Sequence, residues 1–435
     1  MNSNPSFLIA LLRTLSFLLV VLAIDLYFFQ ALKTVTAGWR AKVKSRLYIF
    51  YWSLTGYAFL IFLVNLFYPI QQWGYWGRIY GFALIVVPML CKVPAIILLL
   101  LDDLIRAIKW GLRKIKKSDR IQNPSEAQPE PISRLRFLSL TGTMLAAIPF
   151  GTMIYGMIKS GFDIRVRKIT LRFPNLPEGF NGFRFVQLSD IHSGSFIHST
   201  FFEEALKTIE NLKPEAVFFT GDLVNNTAEE AERFASVWSM LKAPMGVYST
   251  LGNHDYGDYV VWPSEEEKAA NFERLIKVHE NAGWKLLRNE HHILKRNQSE
   301  IALIGVENWG SSMRFPKKGD VHLATKNMAE VPFRILLSHD PSHWDAQIRP
   351  NHPDIDLMLS GHTHGMQFGI EIPGFKWSPS KYFYKQWAGA YREKQQVLYV
   401  NRGLGFLGYP GRVGILPEIT EITLERGELS LIENS

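Results

Sequence analysis

The chain has 435 residues, of which 47% are hydrophobic and 13% aromatic, with a formal net charge of +8 and a single cysteine. That length allows two or three domains. A lone cysteine, Cys91, excludes an intramolecular disulfide framework, a thiolate zinc cluster and a Cys-x-x-Cys redox pair, so any metal must be held by nitrogen and oxygen.

The first 160 residues hold most of the long apolar runs, and the rest mixes charge and hydrophobicity as a soluble enzyme does. Runs at about 7–29, 47–68, 79–101 and 136–158 are each long enough to cross a hydrocarbon core of about 30 Å. The first lacks a basic leader and a small-residue cleavage site, so it is expected to be retained as a span. Arg13 and Asp25 lie near the ends of their run and are expected to snorkel. Lys92, bracketed by Pro88 and Pro94, predicts a kink around a locally satisfied lysine.

Loop charge orients these spans. The loop at 30–46 carries Lys33, Arg40, Lys42, Lys44 and Arg46 without an acid, and 106–120 carries Arg106, Lys109, Arg113, Lys114, Lys116, Lys117 and Arg120. The second loop has one charge and the belt-type aromatics Trp73, Tyr75 and Trp76. Loops one and three are therefore expected in the cytoplasm, with the N-terminus and everything after 160 on the extracytoplasmic side. Residues 104–117 also have the form of a basic amphipathic helix suited to anionic lipid. These loops supply much of the net charge, so no nucleic-acid partner is expected. The stretch 123–131, "NPSEAQPEP", is a Pro-rich spacer. The expected division is a membrane anchor at 1–159 and a catalytic domain at 160–435.

From about 183 onward, strand patterns alternate with amphipathic helices: "FRFVQL", a helix at 200–213 opened by a capping box from Thr200 to Glu203, "AVFFT", and a further helix opened by Thr227 to Glu230. Strands "GVYSTL", "IALIGV", "RILLS" and "DLMLS" follow, and a hairpin around "ERGE" at 425–428 closes the chain. Polar clusters stand where five of these strands stop: "SDIH" (189–192), "GDLVNN" (221–226), "GNHD" (252–255), "SHD" (338–340) and "GHTHG" (361–365). Ligands in open α/β folds bind at the carboxyl ends of strands, so the five clusters are expected to converge on one crevice. In the last, His362 and His364 are two apart and project to one side of an extended backbone.

The order Asp190-x-His192, Gly221-Asp222, Gly252-Asn253-His254-Asp255, His339, Gly361-His362-x-His364 resembles the calcineurin-like metallophosphoesterases over about residues 183–425. The closing stretch "VNRGLGFLGYPGRVGILPEITEITL" is similar to the membrane-attached or exported bacterial branch. The resemblance implies an α/β fold, a two-sheet sandwich flanked by helices, here preceded by a four-helix transmembrane region. It implies two metal ions, one on Asp190, His192, Asp222 and His364 and the other on Asp222, Asn253, His339 and His362. It further implies a non-ligand His254 that protonates the leaving oxygen, with Asp255 fixing its orientation, and attack by hydroxide generated at the metals. Imidazole, carboxylate and amide ligands suit manganese, iron or zinc.

The expected activity is hydrolysis of a phosphate ester, with diester or phospholipid-like substrates favoured by the anchor and the lipid bilayer as a partner. Alternatives are a pyrophosphatase of a nucleotide-linked lipid precursor, a receptor or scaffold that keeps the fold for binding, and a transporter built on the four spans. "GLGFLG" (403–408) runs into Tyr409-Pro410-Gly411 instead of opening a helix, which rejects a dinucleotide site. Arg402 and Arg412 either clamp a second phosphate or lie in surface turns. Tyr256, Tyr259 and Trp262 either form an apolar lip or pack under a loop. His198, His291, His292 and His343 match no motif.

Overall fold

A computed structural model of the chain describes residues 5–68, 70, 73–74, 76–115 and 134–434. The spacer at 123–131, Tyr75, Lys116, Lys117 and Arg120 lie outside the described residues, as do the side chains of Arg113 and Lys114. The fold divides into two compact units on either side of the Tyr155–Gly156 bond.

The first unit is built from α1 (Pro5–Val35), α2 (Ala41–Phe67), α3 (Phe82–Ile115) and most of α4 (Arg134–Ile158), whose last three residues, from Gly156 on, belong to the second. Four helices, including one in each of the expected runs, are long and apolar enough to cross a membrane. They extend beyond the runs read from hydropathy. α1 ends at Val35 and α2 starts at Ala41, so Lys33, Lys42, Lys44 and Arg46 sit on helix ends and not in an open loop. The amphipathic stretch from 104 onward continues α3 without a break.

Two expectations about charge inside the spans are corrected. Asp25 does not snorkel: it is buried, its carboxylate 2.5 Å from Lys92 Nζ, with Thr55 Oγ1 donating to it at 2.5 Å. Tyr51 donates to the Asp25 carbonyl at 2.9 Å, and Lys92 Nζ lies 4.6 Å from the Tyr51 ring centre. Lys92 is therefore satisfied by a carboxylate on another helix and not by carbonyls freed at Pro88 and Pro94. The cause is energetic: an ion in hydrocarbon is tolerated when its counter-ion and hydrogen bonds come with it.

The second unit opens with β1 (Arg165–Phe173) and β2 (Phe183–Leu188), followed by α5 (Thr200–Leu212) and β3 (Ala216–Phe219). Next come α6 (Ala228–Glu232), α7 (Ala235–Trp238), β4 (Val247–Ser249), α8 (Glu265–Ala282) and β5 (Lys285–Leu286). β6 (Glu290–Arg296), β7 (Ser299–Gly305), β8 (Arg334–Leu337) and β9 (Leu357–Ser360) begin the second sheet. A small hairpin, β10 (Ile370–Ile372) and β11 (Phe375–Trp377), precedes β12 (Gly389–Glu393), β13 (Gln396–Val400), β14 (Glu418–Arg426) and β15 (Ser430–Asn434).

One sheet has seven strands in the order β15-β1-β14-β2-β3-β4-β5, and the other has six in the order β12-β13-β9-β8-β7-β6. Strand alternation explains how they stack. In β2 and β3, Phe183, Phe185, Ala216 and Phe218 join Ile301, Leu303, Ile335, Leu337, Leu357 and Leu359 in the core between the sheets. Their neighbours Val186, Leu188, Val217 and Phe219 face the opposite way, onto the α5 and α8 residues Phe202, Ile209 and Leu275. On the second sheet Ile304, Leu336, Met358 and Leu398 pack with Trp344 and Ile348. The fold is thus the expected two-sheet sandwich flanked by helices.

Local details differ. Ser199, not Thr200, precedes α5, and its hydroxyl meets Glu203 Oε1 at 2.6 Å. Glu230 does not close a capping box at Thr227; its carboxylate accepts from the Asn225 and Asn226 amides at 2.6 and 3.2 Å. The terminal strands make no hairpin with each other. β1 lies between them, parallel to β14 and antiparallel to β15.

Candidate metal centre

Each of the five polar clusters leaves a strand at its carboxyl end. β2, β3 and β4 run parallel and deliver Asp190 and His192, Asp222, and Asn253 with His254. β8 and β9 run parallel in the other sheet and deliver His339, then His362 and His364. Hydrogen bonds across the sheets lock these ends together: Gln187 donates to the Ser360 carbonyl at 2.9 Å, and His339 Nδ1 lies 2.7 Å from the Thr220 carbonyl oxygen.

The backbone turns sharply where these side chains are presented. Asp190, His192, Asp222, His362 and His364 all have φ between 48° and 70°, a region L residues seldom occupy. Such strain persists where the surroundings over-determine it, and it clusters at functional sites. Close approach dictates residue type at Gly361, where a Cβ would fall on Ser189 Oγ and Asp190 Oδ2. Its successor, His362, donates its amide to both Asp190 carboxylate oxygens, at 3.0 and 2.9 Å. The "GLGFLG" run serves the same loop from behind: Leu404 and Gly405 donate to the Ser189 and Asp190 carbonyls at 2.9 and 2.8 Å.

The side chains meet in two groups, Asp190–His192–His364 and Asp222–His339–His362. In the first, His364 Nε2 is 3.1 Å from Asp190 Oδ1 and 3.0 Å from His192 Nε2. In the second, His339 Nε2 is 3.1 Å from Asp222 Oδ2, and His362 Nδ1 is 3.3 Å from His339 Nε2. Asp222 Oδ2 also lies 3.6 Å from His192 Nε2, so one carboxylate oxygen stands between the groups.

The outer ring nitrogens are engaged elsewhere. His192 Nδ1 is 3.1 Å from Asn225 Oδ1, His339 Nδ1 faces Thr220 O, and His362 Nε2 meets the Tyr384 hydroxyl at 2.7 Å. This directs the remaining nitrogen of each ring inward, as partners behind a metal-binding histidine do. Burial alone would raise the Asp190 and Asp222 pKa values, but the surrounding imidazoles hold both carboxyls below their ordinary range. Burial would likewise lower His339, yet Asp222 and Asp190 outweigh it and lift its pKa to about 10. His192 and His362, by contrast, are pushed down by burial and stay neutral donors. Asn253 Oδ1 is buried without a hydrogen-bond partner among the described residues, an acceptor that a cation would satisfy. The donor set fits two metal ions.

The calcineurin-like phosphoesterase family model matches residues 183–366. A second model, for the probable calcineurin-like phosphoesterase transmembrane domain, matches residues 8–161. The metallophosphoesterase YkuE of Bacillus subtilis strain 168 is 30% identical over 267 residues, covering 60% of this chain and 86% of that protein. The chain belongs to the calcineurin-like metallophosphoesterase family.

This metallophosphoesterase is also similar to a zebrafish (Danio rerio) transmembrane protein with a metallophosphoesterase domain, 30% identical over 296 residues and covering 66% of this chain. The chain spans 64% of that relative's length. The UDP-2,3-diacylglucosamine pyrophosphatase LpxG of Chlamydia trachomatis serovar D is 25% identical over 311 residues, 60% of this chain and 90% of that one. With its four candidate spans, the metallophosphoesterase is a multi-pass membrane protein.

His254 lies at the edge of the cluster, its ring centre 5.0 Å from that of His192 and 4.4 Å from that of Tyr259. Its orientation corrects an expectation. His254 Nδ1 is held by the Asn225 carbonyl at 2.7 Å, whereas Asp255 turns away and accepts from the amides of Gly252, Asp222 and Leu223 at 2.8–2.9 Å. Asp255 therefore positions the loops that carry Asp222 and Asn253, because buried amides at two adjacent strand ends demand an acceptor.

Both readings of the arginines are corrected as well. Arg402 and Arg412 are buried, in neither surface turns nor a phosphate clamp. Arg402 pairs with Glu371 and Glu418, each at 2.6 Å. Arg412 donates to the Gly403 carbonyl at 2.9 Å and lies 3.3 Å from His364 Nδ1. The aromatic trio divides: Tyr256 is buried and donates to Glu307 at 3.0 Å, Tyr259 is exposed on His254, and Trp262 is half-buried and donates to Gly257 O. Among the unmatched histidines, His343 is structural, buried between Ser338 and Gln347.

Sequence reasoning missed Asn225, Tyr384 and Asp340. Asn225 stands within "GDLVNN", and its amide character was the available signal. Asp340, 3.6 Å from His362 Nε2, sits next to His339 in "SHD". Tyr384 comes from an irregular segment after β11 and carried no signal.

Proposed function

We propose that this protein is a membrane-bound hydrolase of phosphodiester or phospholipid-like bonds that works with two metal ions. The observation that carries this reading is the shared Asp222, whose Oδ2 lies 3.1 Å from His339 Nε2 and 3.6 Å from His192 Nε2. Asp190, His192, His364 and Asp222 would hold one ion, and Asp222, Asn253, His339 and His362 the other. Manganese, iron or zinc bound there would polarise the phosphoryl oxygens and acidify an attacking water.

The protein's own groups do the rest. His254, with Nδ1 anchored on Asn225 O, has Nε2 left to meet the leaving oxygen and give it a proton. Asp255 holds the Asp222 and Gly252 backbones in register, which keeps the shared carboxylate and the Asn253 amide in place.

The likeness to LpxG supports a second reading, cleavage of a pyrophosphate bond in a nucleotide-linked lipid. The two separate in a hydrolysis screen of the full chain in detergent, stripped and reloaded with each metal, against monoesters, phosphodiesters and pyrophosphate-linked lipids. The first reading expects diesters to turn over fastest. Preference for the anhydride selects the second, and metal binding without turnover of any class overturns both in favour of a binding role.

We assign the catalytic unit to the extracytoplasmic side, supported by Arg40, Lys42, Lys44 and Arg46 around the start of α2 and by Arg106 and Lys109 late in α3. Paired C-terminal fusions check it: a periplasm-type reporter should be active and a cytoplasm-type reporter silent. The reverse pattern removes the assignment.

A further inference from the structure

The hairpin β10–β11 is built inside out. Its register pairs Ile370 with Trp377 and Ile372 with Phe375, so these four apolar residues share one face. That face points outward: Ile370, Ile372 and Phe375 are 50%, 58% and 52% exposed. Trp377 is half-buried, and on the opposite face the half-buried Glu371 and the ammonium end of the otherwise exposed Lys376 are tied to the rest of the domain. Glu371 accepts from Arg402 at 2.6 Å and from Arg167 at 2.7 Å, and Lys376 donates to the Ala388 carbonyl at 2.6 Å. A hairpin in water places its apolar face inward, because exposing it forfeits roughly 25 cal/mol for each Å² that could be buried. Here the Glu371–Arg402 pair fixes the opposite orientation. The apolar surface continues across the next segment, where Tyr382 and Phe383 are 70% and 73% exposed between the exposed Lys381 and Lys385.

The occupant is indicated by what the hairpin is attached to. Its base, Gln367 to Gly369, pairs with Val413 through amide–carbonyl bonds of 2.7 and 2.9 Å. The residue before Val413, Arg412, accepts from the Ser160 hydroxyl, and its own amide meets Gly156 O at 3.4 Å. Gly156 and Ser160 belong to the carboxyl end of the fourth candidate span, Arg136–Phe162. Within the second unit, the apolar face therefore begins at Ile370, two residues beyond the Phe368–Val413 bridge, and that bridge adjoins the Arg412 backbone that hydrogen-bonds Gly156 and Ser160.

We infer that the outward face of β10–β11, together with Tyr382 and Phe383, is a membrane seat that dips into the bilayer interface. Bulky apolar and aromatic side chains flanked by lysines suit that layer: the rings and aliphatic chains enter the acyl boundary while the ammonium groups stay with anionic headgroups. Tyr384, adjacent to Phe383, meets His362 Nε2, so the seat adjoins the rim of the metal centre. The seat follows from the hairpin and its attachment and does not depend on the substrate reading.

The test uses the full chain in nanodiscs containing anionic lipid, in a Cys91→Ser background, with single spin labels at Ile372→Cys, Phe383→Cys and the control Met240→Cys. Met240 is 65% exposed and lies between α7 and β4, at the opposite end of the strands from the metal centre. Labels at 372 and 383 should collide with oxygen more often, and with a water-soluble nickel chelate several-fold less often, than the label at 240. Equal chelate access at all three positions overturns the proposal. Protection that appears only in discs holding two chains, with dipolar broadening between labels, also overturns it and assigns the face to a contact between copies.

Discussion

Asp222→Ala should eliminate phosphoester hydrolysis and empty the centre, whereas the same substitution at exposed His198 should leave both rate and metal content unchanged. The difference follows from geometry: among the described residues Asp222 Oδ2 is the carboxylate oxygen near both a His192 and a His339 nitrogen, so its loss removes a donor from both groups. Replacing even a partner behind a metal ligand typically costs about 10–100-fold in affinity or activity, and a donor common to two ions should exceed that. Removal also leaves His339 without the carboxylate that does most to offset its burial. Chelation of the unaltered protein should reproduce the loss, and manganese, iron or zinc should restore it. Metal analysis and turnover are measured on the same preparations. Full activity in rigorously metal-stripped protein, or equal losses at 222 and 198, would show that the ligand assignment is wrong.

The legible part of this molecule was the set of strand ends. Apolar runs such as "FRFVQL" and "DLMLS" are short, bounded by polar clusters and buried on both faces, so their position and the convergence of their ends followed from pattern alone. What stayed hidden depends on pairings between residues far apart in sequence. The partner of Lys92 is 67 residues away in Asp25, and no local feature distinguishes a carboxylate that snorkels from one that meets a lysine. β1 lies between β14 and β15, so the turn at 425–428 reads as a local hairpin although its flanking strands never pair.

The arginines show the same limit. A guanidinium in a glycine-rich loop suggests an anion site, yet Arg402 spends its donors on Glu371 and Glu418, and Arg412 on backbone carbonyls. Asp255 is expected from the family resemblance to fix the orientation of its neighbour His254, and the structure gives it other partners. Successive residues in a tight turn point in different directions, and the 3-10 turn at Asn253–Tyr256 sends the carboxylate to amides and the imidazole to Asn225. The lesson is specific: the residue types at a site were readable, and the groups that orient them were not.

His254→Ala and His364→Ala separate two kinds of histidine in one cluster. His364 Nε2 faces Asp190 and His192 at 3.1 and 3.0 Å, so its loss should lower metal content along with activity. His254 contributes to neither donor group, and its Nδ1 is committed to the Asn225 carbonyl. Its alanine variant should keep both ions and lose only the proton donor. General acid catalysis contributes about 10²–10⁴-fold, so turnover of a substrate with an alkoxide leaving group should fall by that order. The fall should shrink for a nitrophenolate, which departs without needing a proton. An Asn225 substitution cannot replace this test, because Asn225 also supports His192 Nδ1 through its side chain. If His254→Ala were metal-free, or equally slow on good and poor leaving groups, the imidazole would belong to the metal shell or to phosphate binding instead. The leaving-group dependence decides, since a histidine that only stacks on Tyr259 to shape the pocket would slow both substrates alike.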